Sequence, residues 1–327
     1  MRMDKIAGHD KVKKLLDSII SSGHIGHAYI FEGAEGVGRL SLATAFAEKL
    51  CGGASAENNP DIIVVTNELY DSSKKQKNVL IDTIRSMKAD VYIKPFLSDR
   101  KVYIIPNADT MQEPAQNSLL KVFEEPPEYC IVILIASNAN ALLQTIRSRA
   151  AMIRISPLLR DEVEKYLTEN NIADAHRAKV ISAMSGGSIG KALEFSADAE
   201  AVALRDTVIG HLVGICGKGA KSLYDFVKFL KQNNSDIKTV LDIMAGWSED
   251  ILHIKVCGDY DVTNADKIAE LKRVSMIVTA EAAYHFCEIV TKYSLAISRN
   301  ANYSAAVLCM ATEYWEEIHG RNYRSAL

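Results

Sequence analysis

The chain has 327 residues, more than a single hydrophobic core comfortably serves, so two or three domains are expected. With 48% hydrophobic and 24% charged residues it is neither disordered nor fibrous. A net charge of -3 gives no overall attraction to nucleic acid, and no run of about 18 apolar residues is present to cross a membrane; a cytoplasmic protein is expected.

In chain order, Val12, Leu15, Leu16, Ile19 and Ile20 follow the spacing of one helix face. Ala28–Phe31 (AYIF) is a short apolar strand, and after a glycine-rich turn a helix is expected from near Val37 through LSLATAFAEKL, ending before Gly52-Gly53. Further strands are expected at Ile62–Val65, Val102–Ile105, Ile131–Ile135 and Met152–Ile155. Strands alternating with helical stretches predict an α/β domain built on a parallel sheet. The polar, basic stretch Asp71–Asn78 is read as a solvated loop, and Lys74, Lys75, Lys77 and Lys88 are too scattered to form a phosphate-tracking surface. From Ser156-Pro157 onward helical periodicity takes over, with Val163, Tyr166 and Leu167 on one face. A glycine-rich turn spans Ser185–Gly190, a linker is expected near Ser196–Ala203, and helices fill the remainder. Three regions result: 1–156, 157–200 and 201–327. The six cysteines, from Cys51 to Cys309, contain no C-x-x-C pair, which argues against a zinc ribbon or a disulfide framework.

Gly33-Ala34-Glu35-Gly36-Val37-Gly38-Arg39-Leu40 lies between a strand and a helix, the setting of a phosphate-binding loop. Its glycines Gly33, Gly36 and Gly38 are in place, but Arg39 and Leu40 stand where a working loop has a phosphate-reaching lysine and a magnesium-holding hydroxyl. Ser41 is one residue late, turned about 100° around the helix. Likewise the Val102–Ile105 strand runs into Pro106-Asn107, where an acid for the metal and an acid for the attacking water belong. Asp109 is the one nearby carboxylate, read as a cap of the following helix. The loop is therefore read as degenerate and non-functional, and neither a cofactor nor a metal is expected.

Four segments carry a family resemblance: HAYIFEGAEGVG (His27–Gly38), KVYIIPNADTMQEPAQNSLLKVFEEPP (Lys101–Pro127), ILIASNANALLQTIRSRA (Ile133–Ala150) and SGGSIGKAL (Ser185–Leu193). In this order they resemble the landmarks of bacterial clamp-loader AAA+ subunits. The resemblance implies a RecA-like AAA+ domain with degenerate nucleotide motifs (1–156), a small helical lid (157–200) and an all-α collar for oligomerisation (201–327). Eroded motifs point to an ATPase-silent member that assembles with gamma/tau and delta to load the β sliding clamp on primed DNA, with no activity of its own. Ser148-Arg149 matches the family's Ser-Arg-Cys motif, with Ala150 in the cysteine's place; this casts Arg149 as an arginine acting in trans on a neighbour's ATP. Residue type alone equally allows an ordinary arginine near a helix end. Asn138 and Lys191 stand at sensor positions and are given structural roles, Glu124-Glu125 are read as a helix terminus, and the family's four-cysteine zinc module is missing after Cys51. An independent AAA+ motor using Arg39, Ser41 and Asp109 is the rival reading; an active gamma/tau-type subunit is disfavoured by Leu40, Pro106 and Asn107.

Overall fold

The computed structural model describes residues 3–73, 76, 78–217, 219–258 and 262–320. Lys74, Lys75 and Lys77 lie outside the described residues. Contacts divide the chain into two compact units, Met1–Tyr166 with Gly187–Lys191, and Leu167–Gly186 with Ala192–Leu327.

The first unit opens with helix α1 (Asp10–Ser22), strand β1 (Ala28–Glu32) and helix α2 (Arg39–Leu50). These lead to β2 (Ile62–Val64), the one-turn α3 (Asn67–Tyr70), α4 (Ile81–Val91), β3 (Lys101–Ile105) and α5 (Glu113–Glu124). Strand β4 (Cys130–Ala136), the one-turn α6 (Gln144–Arg147), β5 (Ala151–Arg154) and most of α7 (Arg160–Glu169) complete it. All five strands are parallel, in the order β2-β3-β4-β1-β5. Side chains alternate across the strands, so each strand feeds two cores. Ile30, Tyr103, Ile105, Val132 and Leu134 meet Ile84, Met87, Leu119, Val122 and Phe123 of α4 and α5 on one face. On the other, Tyr29, Phe31, Val102, Ile104, Ile131 and Ile133 meet Leu16, Leu42 and Phe46 of α1 and α2. Burial on both faces explains why these strands read as unbroken β-branched runs. Leu15, expected on the apolar face of α1, is exposed, and Leu16 alone on that helix is fully buried.

The second unit is helical: α8 (Ala175–Met184), most of α9 (Ile189–Ala197), α10 (Ala199–Ile215), α11 (Ala220–Gln232), α12 (Ile237–Cys257), α13 (Ile268–Ile277), α14 (Ala280–Ser298) and α15 (Tyr303–His319). The linker expected around Ser196–Ala203 is absent; helix runs on both sides of Asp198 alone, because the Ala-rich stretch there favours helix over coil. Trp247 lies at the centre of the core, with Phe286 stacked on Tyr314 at 4.0 Å. Arg205, only 1% exposed, donates to Asn264 Oδ1 and to both carboxylate oxygens of Asp266. Asn264 in turn donates twice to Asp250, so the partner of the buried guanidinium is itself held in place. No helix among the described residues is long and apolar enough to cross a membrane.

Candidate functional site

Strand β1 delivers the chain to Gly33, whose N–H donates to Ala136 O at the end of β4. The loop then reverses through Gly36 and Gly38, at φ +77° and +99°, a conformation that costs other residues about 1–2 kcal/mol, and α2 begins at Arg39. Three successive loop carbonyls find partners within the unit. Ser188 Oγ donates to Glu35 O at 3.2 Å, Gly190 N donates to Gly36 O at 3.0 Å, and His9 Nε2 lies 2.7 Å from Val37 O. A carbonyl can only accept, so His9 carries its proton on Nε2; burial lowers the pKa of this imidazole. Backbone meets backbone here: a Cβ on Gly190 would lie 2.9 Å from Gly36 Cα, and one on Gly36 would overlap Ser188 Oγ.

Arg39, 7% exposed, does not project freely from the loop. Its Nη1 donates to Ser137 Oγ at 2.9 Å, just past β4. Burial lowers its pKa, against the opposing charges of Asp109 and Glu35. Asp109 caps no helix. It sits within a 3₁₀ turn, Ala108–Thr110, and its Oδ2 accepts from the N–H groups of Ser137 and Asn138, donors that the end of β4 leaves without a strand partner. Asn107 takes the left-handed conformation, φ +51°, at the turn out of β3, which asparagine tolerates better than most residues. Leu40 is 44% exposed in the position of the magnesium-holding hydroxyl. Mg-ATP does not fit this donor set: one side chain is hydrocarbon, the strand tip offers a proline and an amide, and the one cation of the loop is engaged by Ser137.

Asn138 and Lys191, at the sensor positions, make local contacts. Asn138 Oδ1 accepts from Asn140 N, capping a 3₁₀ turn, while Lys191 leaves its side chain exposed and donates its backbone N–H to Ser188 Oγ. Cys51 is buried, with its thiol directed at Arg100 O and its pKa pushed up to about 11 by desolvation. Among the described residues no three His, Cys, Asp or Glu side chains are grouped to hold a metal ion.

Ser148 and Arg149 follow α6, and the Ser148 hydroxyl donates to Thr145 O. Arg149 is exposed: Nη1 donates to Thr145 O at 3.0 Å and Nη2 to Glu124 Oε1 at 3.1 Å. These two bonds tie it to α6 and α5. Two contacts of this region are not legible in the sequence, one made by Glu124 and one by Gln116. Glu124 does end α5, as expected, but it also holds Arg149. Gln116, 3% exposed, donates to Met111 O and Ala141 O and accepts from Leu143 N, binding α5 to the segment that carries α6. The sequence signal at Gln116 itself is an amide placed on the apolar stripe of α5 with Leu119 and Phe123.

Residues 8–159 match the family described as DNA polymerase III, delta subunit. The delta' subunit of DNA polymerase III from Bacillus subtilis (strain 168) is 26% identical over 312 residues, covering 89% of this chain and 92% of that protein. The tau subunit of the same organism is also 26% identical, over 324 residues, but the alignment covers 57% of tau against 89% of this chain. Among solved structures, a DNA polymerase III gamma subunit-related protein from Thermotoga maritima has a TM-score of 0.45 and 18% identity, over 94% of this chain and 99% of that one. Similarity to delta' thus runs along nearly the full length of both chains, so this chain is similar to that DNA polymerase III subunit as a whole and not to one part of it.

Proposed function

We propose that this clamp-loader subunit acts in DNA replication without hydrolysing ATP itself, as a cytoplasmic partner of gamma/tau and delta in loading the β sliding clamp on primed DNA. The supporting observation is the condition of its own nucleotide motifs: Leu40, Pro106 and Asn107 in place of the metal and water ligands, with Arg39 folded onto Ser137. Its contribution to chemistry is Arg149, with Ser148, presented to the ATP of an adjoining gamma/tau subunit. A guanidinium placed against a transferring phosphoryl group is worth roughly 10³–10⁵ in rate in comparable systems. The division into an AAA+ domain (1–156), a lid (157–200) and a collar (201–327) belongs to the same reading. ATP held by the neighbours favours the ring geometry that binds clamp and DNA together.

The test is reconstitution with gamma/tau and delta. Arg149→Ala is expected to lower DNA-stimulated ATP hydrolysis by the complex while leaving assembly intact; an unchanged rate removes Arg149 from the mechanism. Similarity to tau at the same 26% identity keeps an active gamma/tau-type subunit as the second reading. Saturable turnover by this chain alone is what that reading requires.

A further inference from the structure

Glu124 is an oddly placed carboxylate. It is the last residue of α5, the negative end of the helix dipole, where acidic side chains are disfavoured and basic ones preferred. Its one described partner is Arg149, 25 residues further along the chain. Arg149 is meanwhile a long, exposed side chain whose free rotamers would each aim the charge differently. Two acceptors remove that freedom: Thr145 O takes Nη1 and Glu124 Oε1 takes Nη2, one from α6 and the other from α5. A guanidinium has five N–H donors in a rigid plane. These two bonds use one hydrogen on each Nη, so Nε–H and the second hydrogen on each Nη stay open to an anion.

We infer that Glu124 is a positioning residue for Arg149, fixing the guanidinium so that its unused N–H groups face a neighbouring subunit's phosphates. The inference rests on the trans-acting role of Arg149 proposed above. Gln116 extends the support, since it ties the middle of α5 to Ala141 and Leu143 and so holds the two helices that supply the acceptors. Glu124 is a positioning group and not a catalytic one, because it touches the arginine and not the reacting atoms.

The experiment is steady-state ATP hydrolysis by the complex reconstituted with gamma/tau, delta and primed DNA, with kcat and KM for ATP determined separately. Glu124→Ala should lower kcat by about fivefold, the rate equivalent of one partly exposed ion pair, with KM little changed. Glu124→Gln keeps an oxygen to accept from Nη2 and should recover most of that loss, whereas Glu124→Lys, which repels the guanidinium, should cost more than Ala. Size-exclusion chromatography of each complex separates these effects from failed assembly. A Glu124→Ala complex as fast as wild type, or faster, overturns the positioning role; the faster result would mean that Glu124 withholds the arginine. Arg149→Ala in the same series separates the two ideas. If it too leaves the rate unchanged, the trans-acting reading fails; if it alone slows hydrolysis, the arginine stands and the role of Glu124 falls.

Discussion

Gly36→Ala asks how tightly the phosphate-type loop is fastened to the Ser188–Gly190 turn. Gly36 has φ +77°, which costs an alanine about 1–2 kcal/mol before any contact is considered. Its new Cβ would also overlap Ser188 Oγ, and the serine can escape only by giving up its hydrogen bond to Glu35 O. That bond is worth about 1 kcal/mol, giving a total of about 2–3 kcal/mol. Gly52 supplies the control, since it has φ +82° in the same unit and nothing within 4 Å of a built Cβ; Gly52→Ala should cost the strain alone. Both tryptophans, Trp247 and Trp315, lie in the second unit, so their fluorescence in urea follows that unit while far-UV circular dichroism follows both. Gly36→Ala should lower the first unit's midpoint by about 0.5 M more than Gly52→Ala does, with the fluorescence transition unmoved. Equal midpoints for the two variants would refute the fastening.

Asp61 is 2% exposed and accepts from the N–H groups of Phe96, Leu97 and Ser98, each at 2.7 Å, so Asp61→Ala should cost about 2–3 kcal/mol, visible in thermal melts by circular dichroism. Burial alone would raise the pKa of this carboxylate, but the three N–H donors and Lys101 outweigh it and hold it below the ordinary value. Its stabilisation is therefore present above the unfolded-state pKa and lost as pH falls through the lowered folded value, a loss that Asp61→Ala should abolish in acid titrations. Arg205→Ala strands Asp266 and Asn264 in the second unit and should cost about 3–5 kcal/mol, read as an earlier tryptophan transition. His285 has its pKa raised by its bond to Glu317, so its stabilisation is full below the unfolded-state value of about 6.5 and is lost as pH rises through the folded one. His285→Gln should flatten that slope between pH ~6 and ~8, as measured by urea titration.

Much of the fold could be read from residue patterns because its strands are buried on both faces. Runs such as VYII and IVILI admit few alternatives, and all five strands lie within a residue or two of their expected places. The residues that stand in the nucleotide-type motifs, Arg39, Leu40, Pro106 and Asn107, were equally legible, since residue identity needs no coordinates. What stayed hidden depends on pairs distant in sequence. The hydrogen bond from Arg39 to Ser137 spans 98 residues and that from Ser188 to Glu35 spans 153, and no local periodicity encodes either. Glu124 was read only as the end of a helix for the same reason, its partner lying 25 residues on. Asp109 was misread as a helix cap because its proximity to α5 suggested a local bond, while the unpaired N–H groups at the end of β4 were the stronger demand.

Phosphate release by the purified chain alone, measured with saturating Mg-ATP with and without primed DNA, bears most directly on whether this subunit works only through its neighbours. Background release that Arg39→Ala leaves unchanged is the expected result. Saturable, magnesium-dependent turnover that Arg39→Ala removes would contradict it and make the chain a motor in its own right.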